Sequence, residues 1–581
     1  MNFTSPKLLG RVALMAGALG LAACNDLDEY NPSNATAESV WTTPEGFVTV
    51  VNAAYSEQRT WYGHEDGIMM SEVGTDLWFN RDKNTYAMQL TQYQGLNSGA
   101  GNPNRIWAQL WKAINLCNAG INRINQAGFT NANTRNQREG ELRFLRAFYY
   151  WHIVETWGGV MLRTEETQAP ITTAVRSSVP EFYNLIINDL QFAANNLPVS
   201  WGNEYSRATK KAAMGFLARA YLSRAYYSSG SEAQQYFTLA RNAANEVIRN
   251  KATLLTDLRA NYADLWAQAN NKTLGRDGGE GLYVVSFSTN PGLNYSDNGT
   301  RLFHVFQAPY NGKPGLESSV AYGYESSRRL MPTRTLLDLY DQTRDNRYDG
   351  SFQEVWLANR TTPYTWTAAD ANTYQKDPSI VGRQIRQGDT AMVVTKRAIP
   401  NKRLKPYVVY DRDDVYNANG TIKTGLNYVN LKKFWDTSRS AANVQNGTND
   451  IVVMRLAEMY LIAAEAENQL GNNAAAADLV NVLRVRAAKK TPVDYSQAMR
   501  VTAADITPDF ILDERAREFA GEYIRWFDVK RMKNNQNFAS YIKARNPDIT
   551  QVQEFHRLRP IRQEELNALQ NAGEFGQNPG Y

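Results

Sequence analysis

Apolar side chains recur at helical spacing in two long blocks of this chain, residues 41–250 and 452–581, and the period lapses across residues 252–440 between them. A chain patterned this way has to bury helices against helices, because each helix carries an apolar stripe that needs a partner. The first block opens near Trp41, with Pro44 and Glu45 in a first turn and Phe47, Val48, Val51 and Tyr55 at helical spacing. Residues 60–104 interrupt it with Gly63, Gly67, Gly74, Gly95, Gly99 and Gly101. Helices are then predicted over 105–125 and 138–157, from Pro180 onward, and over 207–227 and 234–250. In the second block the same pattern predicts helices over 452–470, 474–489 and 508–531. The middle carries Gly, Pro, Asn and Asp clusters with short apolar runs such as 282–287, which read as loops with short strands. The expected fold is mainly α. Consecutive helix pairs form one domain over 41–581, and the irregular region is set into it.

Residues 456–487 resemble a tetratricopeptide repeat, a unit of about 34 residues in which small side chains let two helices approach. Ala457, Ala464, Gly471, Ala474 and Ala477 are the small residues at that spacing. Disulfides cannot hold such a fold together. The chain has two cysteines, and the first, Cys24, has another use.

That use is read from the N-terminus. Lys7 and Arg11 precede an apolar run from Val12 to Ala23, too short to cross a hydrocarbon core of about 30 Å. It reads as a signal peptide over 1–23. The run ends Leu21-Ala22-Ala23-Cys24, small residues before a cysteine, which is what lipoprotein processing requires. Acylation of Cys24 on more than one site would give a stable membrane anchor. Residues 24–40 form the lipidated tether, and Asp26, Asp28 and Glu29 resemble an acidic surface-export signal. The expected place is the cell outer membrane, lipid-anchored and facing outward. Cys117 is left alone inside a helical pattern and reads as a buried thiol. The net charge of +5 is not gathered into a basic block, so nucleic acid is not an expected partner.

Catalytic and metal chemistry find little purchase. Glu518, Glu522, Arg525, Asp528 and Arg531 sit at helical spacing and read as ion pairs, not as the paired carboxylates of a glycosidase. Arg455, Glu458 and Glu465 fall in a segment apolar almost all round, where charges must be paired. The histidines, His64, His152, His304 and His556, form no close metal pair. Asp411 to Gly420 lacks the ligand alternation of a calcium loop, and the glycines of 275–281 lack the Lys-Ser/Thr of a phosphate cradle. The chain is therefore expected to have no catalytic residues, no metal and no cofactor.

Five segments and the C-terminus, taken in order, resemble the SusD/RagB family. They are Glu141 to Tyr150 running on to Trp157-Gly158-Gly159, then Arg207 to Leu222, then Pro332-Thr333 with Asp338, Asp345 and Arg347. Met454 to Ala466 follows, then Glu514-Arg515, Glu518, Glu522, Arg525 to Asp528 and Arg531, and last Gln577 to Tyr581. Met161 stands where the family usually has proline. The resemblance implies a superhelix of tetratricopeptide-like pairs packed on an irregular region that carries the ligand site. It also implies a lid on a TonB-dependent, SusC-like transporter that captures oligosaccharides or, in some branches, peptides. A surface hydrolase and a ligand-free helical scaffold are the competing readings.

Aromatic residues make up 11% of the chain, and two groups fall in polar, glycine-punctuated stretches. A sugar ring stacks its C–H face on an aromatic ring while amides and charges read its hydroxyls. The first stretch offers Trp61, Tyr62, Trp78, Phe79, Asn80 and Arg81. The second offers Tyr295, Phe303, Phe306, Tyr310, Tyr322 and Tyr324. The family resemblance places its ligand loops in about these regions, with Trp78, Tyr322 and Tyr324 foremost.

Overall fold

The computed structural model describes residues 37–81, 85–294, 299–322, 329–533 and 537–581. Cys24 and the signal segment therefore lie outside the described residues. The helices that carry the fold are α1 (Pro44–Ser56), α2 (Glu65–Ser71), α3 (Gly101–Arg123), α4 (Ala132–Trp157), α5 (Val179–Asn196), α6 (Lys210–Ala225), α7 (Gly230–Arg249), α8 (Leu456–Gln469), α9 (Asn473–Ala487), α10 (Pro508–Phe519) and α11 (Arg525–Met532). Local chemistry sets several of their starts. Thr43 accepts a hydrogen bond from Gly46 N at 3.1 Å to cap α1, and Ser178 with Glu181 forms a capping box on α5 with a proline in its first turn. Gly158, at φ +74°, ends α4.

From α3 to α9 the helices pack in succession, each on the next, and α8 settles directly on α7. The second helical block thus continues the stack begun by the first, across the whole irregular middle. Along α4 every residue from Gly140 to Trp157 except Arg143 is buried, so this helix forms the spine of the molecule. In the α8–α9 pair Ala457, Ala464 and Ala477 are buried at the contact, whereas Ala474 is exposed and Gly471, at φ +83°, makes the turn.

Short strands lie in or beside the irregular region, the longer of them β1 (Trp78–Asn80), β2 (Gly281–Val285), β3 (Leu330–Pro332), β4 (Val355–Leu357), β5 (Thr390–Val394), β6 (Val408–Tyr410) and β7 (Ile451–Arg455). β1 runs antiparallel to β3, with Trp78 opposite Pro332, and β5 pairs antiparallel with β4 and parallel with β6. The predicted helix over 452–470 is corrected here. Ile451, Val452 and Val453 are β-branched and extend as β7 against β2, and helix begins only at Leu456.

The predicted helix over 508–531 is likewise two helices. Gly521 and Tyr523 adopt φ of +81° and +64°, and the chain turns between α10 and α11. Glu72 receives that turn. Its carboxylate accepts from Gly521 N at 3.2 Å, Ile524 N at 3.0 Å and Arg525 N at 3.3 Å, serving the orphan N–H groups at the start of α11. The charges of this segment are ion-paired, but mostly with distant partners. Glu518 meets Arg455 at 3.0 Å, Arg486 at 2.5 Å and Arg347 at 3.3 Å, and Arg525 meets Asp76 at 2.6 Å. Asp528 and Arg531, 3.0 Å apart, keep the one-turn spacing read from the sequence, and Glu514 and Arg517, 2.7 Å apart, form another one-turn pair. Both oxygens of Glu518 and those of Glu514 are sealed from solvent.

Candidate functional site

The two aromatic stretches do meet, through β1 and β3. The backbone N–H of Arg81 donates to Arg329 O at 2.9 Å, which ties the end of the first stretch to the chain just beyond the second. Most of the expected platform residues, however, point inward. Trp61, Tyr62, Trp78, Phe79, Asn80 and Tyr310 are each at most 3% exposed, so none offers a ring face to a solute. Trp61 donates its indole N–H to Ser71 Oγ at 2.9 Å, and Tyr62 hydrogen-bonds His152 at 3.2 Å. Trp78 packs on Phe306 at 4.9 Å between centroids and donates to Glu72 at 2.8 Å. Phe79 lies 6.4 Å from Tyr416. The physical reason is that an irregular region without long helices still needs a core, and large rings supply the area to build one. Phe303 and Phe306 are buried for the same reason.

Tyr322 is half-buried, its ring 5.5 Å from Tyr310 and its hydroxyl bonded to both backbone groups of Leu357. Arg81 is also half-buried, and its Nε donates to Gly425 O at 2.5 Å. Tyr295 and Tyr324 lie outside the described residues. Asn80 is buried with neither side-chain amide atom hydrogen-bonded among the described residues.

Beside the buried rings runs a cleft of about 530 Å³, lined by the 59–66 turn, the start of α3 and residues near 562. The turn forms because Gly63, at φ +98°, brings its backbone against the Phe287 ring, where a Cβ would sit 2.3 Å from a ring carbon. Its N–H donates to the Tyr523 hydroxyl at 2.9 Å, while its carbonyl accepts from Arg301 N at 2.8 Å. His64 thereby projects into the cleft with its ring edge toward Phe287, 6.5 Å away. Asp66 follows on α2 and holds Arg105 through two hydrogen bonds of 2.7 Å and Asn102 through a third of 2.7 Å. Arg105 is fixed in place yet 55% exposed, a guanidinium set out for use. Asn104 and Gln109 complete the α3 wall, and the Oε1 of Gln109 is buried without a hydrogen-bond partner among the described residues. On the other side of the turn Glu65 meets Arg329 at 2.5 Å, and burial raises its carboxyl above the usual range against the pull of Arg329.

The remaining histidines are structural. His152 and His556 are buried, and burial pushes both rings down to about 3, so they are neutral at physiological pH. His304 is buried with its Nε2 3.0 Å from Gln445 O. Burial drives the Cys117 thiol well above its ordinary range, which leaves it inert. Among the described residues no group of three or more His, Cys, Asp or Glu side chains is placed to hold a metal ion. Asp411 and Asp414 of the weak calcium pattern both bind Lys402, at 2.9 and 2.7 Å.

Sequence reasoning did not single out His64, Asp66, Asn104, Arg105 and Gln109, which line this cleft, as ligand-binding candidates. The glycines of 60–104 were the available signal, since they mark the backbone turns that form the cleft.

A family model described as "SusD family" matches residues 292–581, and one described as "Starch-binding associating with outer membrane" matches residues 27–222. The chain belongs to the SusD family. It is 24% identical to SusD-like protein P2 of Formosa agariphila, over 98% of this chain and 99% of that one. It is 22% identical to the starch-binding protein SusD of Bacteroides thetaiotaomicron, covering 78% of this chain and 74% of that one. Among solved structures it is similar to a laminarin binding SusD-like protein, with a TM-score of 0.63, 19% identity, and 93% of this chain and all of that chain covered. That likeness shows the SusD fold, mainly α with a few short strands.

Proposed function

We propose that this SusD-family chain is a glycan-capturing lipoprotein, anchored through Cys24 on the outer face of the outer membrane, that passes oligosaccharides to a TonB-dependent, SusC-like transporter. One observation supports the ligand class most. The cleft beside α2 and α3 presents fixed donors, Arg105 and Asn104, beside the carboxylates of Asp66 and Glu564. Sugar hydroxyls both donate and accept, and such a set suits them better than the apolar pockets that hold peptide side chains. Two relatives carry names that state starch and laminarin binding, which points the same way. The reading is of binding without turnover, since the buried carboxylates of α10 and α11 are closed to any substrate.

The test is calorimetric titration of the mature chain with malto-oligosaccharides and laminari-oligosaccharides. At least one series should bind. Arg105→Ala should weaken it by about tenfold, 1.4 kcal/mol, with the melting temperature unchanged. Binding of peptides but no glycan would replace this reading with the peptide-capturing one.

A further inference from the structure

A second cleft, of about 450 Å³, lies in the irregular region against β6. Its lining combines two tyrosines, Tyr374 and Tyr410, with four basic side chains, Lys376, Lys402, Arg403 and Lys423, and a single carboxylate, Asp414. Both tyrosines are half-buried, so each keeps part of a ring open to the cleft. The carboxylate is already taken, because Asp414 and its neighbour Asp411 both bind Lys402. Arg403 and Lys423 are exposed at the rim, and Lys423 is steadied by Asp413 O at 2.7 Å. Lys376 is the unusual member. It is only 5% exposed, and its Nζ donates to Lys402 O at 2.8 Å. Burial, with Lys402 beside it, pulls its ammonium down to about 8. The backbone carries strain at the same place. Gln375, between Tyr374 and Lys376, has φ +49°, and Asn401, next to Lys402, has φ +54°. Non-glycine residues held in this region collect at ligand sites.

We infer that this cleft is a second glycan site, distinct from the one at α3, that takes sugar units bearing an anionic group, a carboxylate or a sulfate ester. The ring of the sugar lies on Tyr374 and Tyr410, and the anionic group meets Lys376 and Arg403. An anion there offsets the crowding of Lys376 by Lys402, which the pull of Asp414, itself bound to Lys402, only partly balances. The inference goes beyond the preceding reading and shares with it only the sugar.

The mature chain is titrated with oligogalacturonate, with sulfated dextran, with unmodified dextran and with an oligoglutamate peptide. Oligogalacturonate or sulfated dextran should bind, the choice between them naming the anionic group, and the affinity should fall with added salt. The rim variant Arg403→Gln/Lys423→Gln, which leaves buried Lys376 intact, should lose roughly tenfold or more in affinity. Tyr374→Ala should weaken the same ligand, and Arg105→Ala should not. Failure of both anionic glycans to bind overturns the inference. So does binding that the rim variant leaves unchanged, or binding of oligoglutamate in their place. Neutral-glycan binding lost in Arg105→Ala tests the α3 cleft alone, so the two readings fail separately.

Discussion

Trp78 is fixed by its contact with Phe306 and its hydrogen bond to Glu72, and these decide what its removal does. Trp78→Ala opens a cavity and should cost about 3–5 kcal/mol, seen as a lower melting temperature in scanning fluorimetry. Glycan affinity of the folded fraction should be unchanged, and a variant that keeps its stability but loses binding would return Trp78 to the site. Glu518 gives a pH-dependent counterpart. Burial alone would raise its pKa, but Arg486, Arg455 and Arg347 overcome this and hold it down to about 2. A carboxylate lowered in the folded state stabilises it above the unfolded value of about 4.3, and the contribution is lost as pH falls from there toward 2. Glu518→Gln should therefore be less stable by roughly 3–5 kcal/mol at pH 7, because its arginines lose a buried partner. The difference from wild type should shrink on acidification, as urea midpoints measured at pH 7 and pH 3 would reveal. A gap that widens in acid would mean the three arginines do not hold Glu518 ionised.

At the scale of elements, the turn between α10 and α11 is the most specific feature. Gly521 sits at φ +81°, and a Cβ there would lie 2.6 Å from Leu431 Cδ2. Gly521→Ala should destabilise the chain by about 1–3 kcal/mol in urea unfolding, and an unchanged midpoint would show that the turn relaxes freely. This break was hidden in the sequence, since Glu518, Glu522 and Arg525 keep helical spacing through it. Periodicity reports which residues are buried, and a buried turn between two buried helices looks like one helix. Elements with a solvent face, such as α3, α5 and α7, were legible within a few residues, because only an amphipathic helix displays its period. Val452 misled for the opposite reason: a strand buried on both sides has no alternation, so it joined the helix that follows it. The site was half legible. Its neighbourhood could be read from glycines and aromatic density, but whether a ring faces a ligand or a core depends on packing that the local sequence does not encode. Trp61, Tyr62 and Trp78 went into the core, while His64 and Asp66, a few residues beyond Tyr62, line the cleft.

For the whole molecule, the stack from α3 to α9 forms a frame, and both clefts sit on its irregular side or margin. The larger apolar core takes residues from Phe47 to Phe575, with a smaller cluster around Tyr262, Leu265 and Leu274 beside it, and residues 41–581 are proposed as a single domain. Among the described residues no helix is long and apolar enough to cross a membrane. Attachment is proposed to depend on Cys24, the cysteine that ends the apolar run of the N-terminus. Cys24→Ala should move the protein from carbonate-washed membranes into the soluble fraction, and persistence in the membrane would remove the lipid anchor from the account. The most direct test of the central claim is capture of a fluorescently labelled glycan, of whichever neutral series binds in calorimetry, by intact cells carrying this chain. The account predicts a label on cells with the wild-type chain that is strongly reduced by Arg105→Ala and lost from cells with Cys24→Ala. Equal labelling of cells carrying any of the three chains would contradict it.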